Sequence, residues 1–145
     1  MQKPIPQINV RDLQINPPLI LAPIAGLTHS ALRQIIFGFG WVGLLSTEML
    51  SARSLPSESP RVSPYLIRTV LEKPLSYQLL ISTAGAIPQA IDALHKLKAD
   101  AIDLNMGCPA PAVGRMGAGV RLMEKPEEVR LMVSEARRRT NLPLT

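Results

Sequence analysis

The sequence predicts an α/β protein built on a parallel sheet, and three observations carry that reading. Short apolar runs recur along the chain, each is followed by a segment with helical apolar spacing, and aromatic residues make up only 3% of the 145 residues. Strands alternating with helices fold as successive βαβ units. Strands of a parallel sheet read as continuous apolar runs because both faces are covered. A core with few aromatic rings must pack Leu, Ile, Val, Ala and Met, which argues against a β-sandwich and against a base-stacking RNA module.

Composition narrows the class further. A hydrophobic share of 46% with 19% charged residues is that of a globular protein, and the length suits one domain. The formal charge of +5 agrees with a polyanionic partner such as nucleic acid, although it serves solubility equally well. A single cysteine, Cys108, excludes an internal disulfide and a cysteine-based zinc site. The polar, proline-rich start MQKPIPQINVRDLQINPP has no signal-peptide character, and no apolar run reaches membrane length. The expectation is a cytoplasmic protein with no membrane partner and no metal.

Taken in order, residues 8–15 (INVRDLQI) predict a small hairpin around Arg11-Asp12, within a lead-in segment 1–18 that Pro17-Pro18 closes. Residues 19–22 form an apolar run stopped by Pro23, predicted as a strand buried on both faces. Ser30 is a candidate cap for a helix with the stripe Leu32, Ile35, Ile36 and Phe39, ended by Gly38 and Gly40. Residues 41–46 (WVGLLS) predict a second strand, with Thr47-Glu48 at its end. Residues 51–64, rich in Ser and Pro, predict an irregular excursion, and 65–71 a short helix.

Residues 75–81 predict a third strand carrying one polar residue, Gln78. Pro88 suits the first turn of a helix burying Ile91, Leu94 and Leu97. Residues 101–104 predict the fourth strand, which ends at Asn105. After a glycine-rich loop, 114–119, Pro126 opens a helix with Glu127 and Glu128 at its start and Arg137, Arg138 and Arg139 at its end, charges that complement the helix dipole. Its stripe is Val129, Met132, Val133 and Ala136. Residues 142–145 begin a fifth strand. This pattern leaves an open sheet and a barrel equally available.

In either architecture functional groups gather at the carboxyl ends of the strands. Those ends are Pro23-Ile24-Ala25-Gly26, Thr47-Glu48-Met49, Gln78 and Asn105-Met106-Gly107-Cys108. Small residues near Ala25 and Gly26 would let a flat ring approach closely, and an inward amide at Gln78 offers both donor and acceptor to a heterocycle edge. Each also has a structural reading. A lone cysteine is commonly a small core residue, Gln78 could satisfy a neighbouring backbone group, and Glu48 reads as a structural acceptor rather than a base. His29 and His95 lack ligand spacing and read as surface residues. The loop 114–119 lacks the order G-x-G-x-x-G, so it reads as tight packing at the mouth of the fold rather than a phosphate cradle. The Arg137–Arg139 run reads as a solvated helix end, with tRNA contact as its alternative.

Together these segments resemble the tRNA-dihydrouridine synthase family. The resemblance is carried by LAPIAGLTHSALR (21–33), STEMLSA (46–52), the strand with Gln78 and, most specifically, DLNMGCPAPAVGRMGAGVRLM (103–123). It implies a (β/α)8 TIM-type barrel that reduces the C5=C6 bond of uridine in tRNA, with FMN as hydride carrier and NADPH as reductant. By position, Pro23, Ile24 and Ala25 would lie along the isoalloxazine and Gln78 would bond its polar edge. Asn105 would hold the uracil, and Cys108 would be the proton donor to C5. Ordinary thiols are largely protonated at neutral pH and can act as acids.

Two local departures stand out. Ala110-Pro111-Ala112 follows the Cys-Pro pair where the family usually carries a lysine pair, and Leu80-Ile81-Ser82 ends the third strand where Phe-Gly is common. A barrel of this kind takes about 250 residues. The 145 residues are therefore expected to be its N-terminal part, about four βα units plus the start of strand five, without the C-terminal barrel half or the helical tRNA-binding domain. Open sheet edges would favour self-association or a complementary fragment. The alternatives are a related FMN barrel such as dihydroorotate or dihydropyrimidine dehydrogenase, or a non-catalytic truncated product or RNA-binding fragment.

Overall fold

The computed structural model describes residues 7–145, so residues 1–6 of the lead-in segment lie outside the described residues. The hairpin forms where it is predicted: β1 (Ile8–Val10) pairs antiparallel with β2 (Leu13–Ile15). Arg11 turns the chain at φ 52, and Ile15 anchors the hairpin in the interior.

Three strands, β3 (Leu45–Ser51), β4 (Leu75–Leu80) and β5 (Ala101–Asn105), form a parallel sheet in that order. Single parallel bridges extend it on both sides, Ile20 to Leu44 and Ile102 to Leu144. Five parallel segments thus lie side by side in chain order. On the sheet pack α1 (Ser30–Gly38), α2 (Ile87–Lys96), the one-turn α3 (Pro111–Arg115) and α4 (Pro126–Arg139), with short 3-10 turns at Leu55–Ser57, Ala84–Ala86 and Gly119–Glu124. The core forms where Leu75, Tyr77 and Leu79 of β4 meet Ile87, Ile91 and Leu94 of α2 and Met132 and Ala136 of α4. Among the described residues no helix is long and apolar enough to cross a membrane.

The arginine run of α4 is used structurally. Arg137 donates to the carbonyls of Thr140 (3.1 Å) and Leu142 (2.9 Å), Arg138 reaches Glu135, and Arg139 donates from Nε to Asp92 of α2 at 2.9 Å. Arginine at a helix C-terminus satisfies the last carbonyls and favours the dipole. The Arg139 guanidinium beside Asp92 holds that carboxyl below its ordinary range. Of the two histidines, His95 meets the Thr140 hydroxyl at 2.9 Å, and no metal-ligating cluster occurs among the described residues.

Several expectations are corrected. The run 19–22 is not a doubly covered strand: it touches the sheet by one bridge, and Leu19 and Ile20 are about half exposed because no neighbour lies on their far side. The second strand starts at Leu45 rather than Trp41 and carries Thr47 and Glu48 in its middle, while Trp41 lies on the surface. Ser30 does not cap α1. His29 holds that position, and the Ser30 hydroxyl donates instead to Glu72 at 2.8 Å. The stripe of α1 holds only in part, with Leu32 and Ile36 half-buried, Ile35 and Phe39 exposed, and Ser30 and Arg33 taking the buried positions. Residues 65–71 form turns rather than a helix.

One fully buried ion pair explains the last three corrections. Arg33 Nε donates to Glu72 at 2.7 Å, and both side chains are shut off from solvent. The other arginine nitrogens donate to the carbonyls of Thr28 and Ile67, each at 2.6 Å. The second Glu72 oxygen accepts from Ser30 and from the Thr69 amide (2.6 Å). A buried charge must be paired and hydrogen-bonded, so α1 turns its polar edge inward and the segment before β4 stays irregular, its backbone groups taken by these two side chains.

Removing one partner of such a pair strands the other charge. Arg33→Ala is therefore expected to destabilise the chain by about 3–5 kcal/mol, measured by urea unfolding; a loss of less than about 1 kcal/mol would contradict the role given to the pair. A second outcome concerns alkali. Burial pushes the Tyr77 phenol above its ordinary 10.0, against the opposing pull of Arg68 and Arg33. The stability linked to this group is fully present below pH 10 and lost as pH rises through the higher folded value. Tyr77→Phe should move the alkaline unfolding midpoint upward, and an unchanged midpoint would count against it.

Candidate active site

A cleft of about 400 Å³ opens at the carboxyl ends of the parallel segments. Five of the residues predicted for the site line it: Pro23, Ala25, Gln78, Asn105 and Cys108. Ile24 does not, and stands outward at 44% exposure. Met49, Met106 and Gly107, placed at the strand ends but given no role, line it too, as do Asp103 and Leu104, which were not predicted for the site.

The turn carrying Pro23 to Gly26 is tied from both sides. Thr28 Oγ1 donates to the Ile24 carbonyl and accepts from the Ile24 amide, both at 3.1 Å, and Arg33 holds the Thr28 carbonyl. From β3, Glu48 accepts from the Gly26 amide at 2.9 Å. Gly26 has φ 76, a conformation that side chains strain to adopt. Glu48 is thus a structural acceptor as expected, while its other carboxylate oxygen is buried without a partner.

Glu48 reaches this turn because β3 carries a bulge. Register with β4 runs Ser46 to Ser76 and then Met49 to Gln78, one residue longer on β3. The gap leaves the Gln78 amide without a ladder partner, and Thr47 Oγ1 accepts it at 3.2 Å. A bulge re-aims the side chains that follow it. Here it sets Met49, Gln78 and Asp103 in one lateral row across three strands, all lining the cleft.

The polar groups of that row form a chain with a fixed direction. Gln78 Nε2 donates to Asp103, and Gln78 Oε1 accepts from Asn105 Nδ2 at 2.9 Å. Asn105 Oδ1 accepts the backbone amides of Cys108 (3.1 Å) and Gly107 (3.3 Å), and Nδ2 also faces the Met49 sulfur at 3.7 Å. An amide can be placed either way round and its neighbours decide which. Asp103 can only accept when ionised, so it orients Gln78, which orients Asn105, which fixes the turn bearing Cys108. Thr145 Oγ1 completes the row on Asp103 at 2.8 Å. Asn105 uses all its hydrogen-bonding positions inside the protein, whereas Gln78 keeps one N–H and one lone pair. Asp103 had a readable signal, since it lies two residues before Asn105 on a strand and so shares its face.

The glycine-rich loop is a short helix and a 3-10 turn packed under the cysteine. A Cβ on Gly119 would lie 2.4 Å from the Cys108 carbonyl oxygen and 2.8 Å from Val113, at φ 60. The Val120 amide donates to that same carbonyl at 3.0 Å. The expectation of tight packing at the mouth of the fold holds.

A family model described as dihydrouridine synthase matches residues 20–145. A probable tRNA-dihydrouridine synthase from Rhodobacter capsulatus is 30% identical over 139 residues, covering 95% of this chain and 43% of the relative. The tRNA-dihydrouridine(16) synthase of Pseudomonas putida is 33% identical over 135 residues, 88% of this chain and 42% of the relative. The tRNA-dihydrouridine synthase B of Klebsiella pneumoniae is 29% identical over 142 residues, 95% and 43%. The chain thus spans less than half the length of the curated relatives it matches.

The fixed direction of the amide chain has a test. Gln78→Glu sets two carboxylates side by side and should cost about 1–3 kcal/mol in urea unfolding, while Asp103→Asn alone should cost less. Combining them restores a donor opposite an acceptor, so the double variant should be more stable than Gln78→Glu. Strictly additive losses would show that the direction does not matter.

Proposed function

The chain belongs to the dihydrouridine synthase family, and we propose that it forms the part of a tRNA-dihydrouridine synthase that presents the proton donor and the flavin edge to a uridine of tRNA. The reaction is reduction of the uracil C5=C6 bond. The observation that carries this reading is the turn closed by Asn105, which holds Cys108 in the same cleft as Gln78, Pro23 and Ala25. The family match supports the synthase over the dihydroorotate and dihydropyrimidine dehydrogenases. In this reading the parallel segments are the first strands of a (β/α)8 barrel, and the rest of the enzyme's length contributes the remaining strands and the tRNA-binding domain.

The residues present fit a flavin. Ala25 and Gly26 are small and exposed, and Gln78 keeps a donor and an acceptor free beside them. The cleft volume lies in the range of small-ligand sites. Pro23 and Ala25 would hold the ring's face and Gln78 its polar edge, while Ile24, expected beside them, stands outside the cleft. FMN, when bound, supplies the hydride that reaches uracil C6, drawn from NADPH.

The chain's own contribution is the proton. Cys108 gives its thiol proton to uracil C5, and the backbone amides bonded to Asn105 keep its Sγ from wandering with the loop. Gly119 beneath the Cys108 carbonyl leaves that turn no room to sink. Asn105 acts through this turn, and it reaches the uracil only by releasing the Met49 contact at 3.7 Å, the weakest of its bonds.

The test is Cys108→Ala in the enzyme assembled to the full length of its relatives. Flavin absorbance should be kept while dihydrouridine formation on unmodified tRNA falls about 10²–10⁴-fold, the usual worth of a positioned acid. Unchanged turnover would remove Cys108 from the role.

A further inference from the structure

Asn105 carries two N–H bonds on Nδ2, and only one of them meets a strong acceptor, Gln78 Oε1 at 2.9 Å. The other faces the Met49 sulfur at 3.7 Å. A thioether is a weak acceptor, soft and adaptable in its packing. The remaining bonds of Asn105 define the turn that bears Cys108, whereas this one is loose and belongs to a residue that lines the cleft. Met49 is the one partly exposed residue in the buried run 43–50, and Asn105 is partly exposed as well, so a ligand in the cleft can reach the pair.

The way Met49 comes to stand there is a second observation. Ser46 pairs with Ser76, and in an unbroken parallel ladder the residue level with Gln78 would be Glu48. The bulge moves the register by one residue and sets Met49 at that level instead. A shift of one residue exchanges the two faces of a strand. The bulge thus takes a carboxylate out of the row and puts a thioether in its place, while Glu48 turns to the Gly26 amide at 2.9 Å. A carboxylate level with Gln78 would be a strong charged acceptor for the Gln78 and Asn105 amides, and it would undo the direction that Asp103 gives them.

We propose that Met49 is a positioning residue for the substrate: it keeps the second Asn105 N–H aimed into the cleft and yields it to a carbonyl oxygen of the uracil ring as the pyrimidine enters. This rests on the reading of the cleft as that of a dihydrouridine synthase. The exchange is favourable because a weak N–H to sulfur contact is given up for an N–H to carbonyl bond. A stronger acceptor at position 49 would hold the N–H back, and the substrate would have to compete for it. The unbranched side chain can also move aside without disturbing its strand. Met49 acts through Asn105 and not on the reacting carbons.

Two readouts test this. In the 145-residue chain, Met49→Leu removes the sulfur at similar volume, and one of the two Asn105 side-chain N–H resonances should shift. The Gly107 and Cys108 backbone amides, bonded to Asn105 Oδ1, should keep their positions. In the enzyme assembled to the full length of its relatives, Met49→Gln supplies a strong acceptor. Its KM for unmodified tRNA should stand about three- to tenfold above that of Met49→Leu, with kcat alike in the two variants. An Asn105 resonance indifferent to Met49→Leu overturns the proposal. So does an equal KM in the two variants, since packing alone then accounts for Met49. The reading of the site fails by a different result, unchanged turnover in Cys108→Ala, and Met49 then loses its role even where the Asn105 resonance shifts.

Discussion

The hydrogen-bond chain from Asp103 through Gln78 to Asn105 runs in one direction because it starts at a group that can only accept. Everything local to the cleft depends on that direction. A reversed Asn105 amide would face the Cys108 and Gly107 amides with another donor, and the turn would lose both its bonds. The carboxylate does not touch Cys108, yet it decides through two amides how the cysteine is presented. Such networks are worth more satisfied than the sum of their bonds and cost more when broken. Met49 in turn stands in register with Gln78 because β3 carries the bulge that Thr47 stitches to the Gln78 amide.

The Arg33–Glu72 pair does similar work on the other wall. By holding the Thr28 carbonyl it braces the turn that carries Pro23 to Gly26, and by binding Ile67 and Thr69 it fixes the segment that covers the start of β4. The cleft is therefore a junction between two rigid polar networks rather than a hollow in an apolar core. This arrangement suits proton delivery, in which a misplacement of about 1 Å is costly.

Much of this was readable. Residues 75–81 and 101–104 matched β4 and β5 closely because their apolar runs have no competing signal, and α2 and α4 followed their stripes except at Val133, which lies exposed. The cleft was readable because strand ends converge in any parallel sheet, and Asn105 and Cys108 lie just past one. What misled was polarity. Ile35, Ile36 and Phe39 outweighed Arg33 as a guide to the inner face of α1, because helical periodicity cannot reveal that a distant Glu72 makes an arginine worth burying. The bulge was invisible too: Thr47 and Glu48 looked like a strand terminus, and only the partner's register shows that β3 continues through them. Asp103 was passed over although it shares the strand face of Asn105, and that it orients Gln78 follows only from the cross-strand register.

Adjacent residues of β4 show how one strand serves both ends of the fold. Gln78 faces the cleft, and Tyr77, one residue earlier, necessarily faces the other side of the sheet. There it lies fully buried among α2 and the segment that covers the start of β4. On the cleft side Asn105 is saturated from within, so the turn is rigid and the cysteine has a set position. Buried side-chain atoms without a partner among the described residues fall on both sides, Glu48 Oε1 and Ser76 Oγ on the cleft side and Thr69 Oγ1 and Tyr77 OH on the other. One strand thus carries a directed polar row on the face that meets the cleft and an apolar anchor on the face that meets the helices.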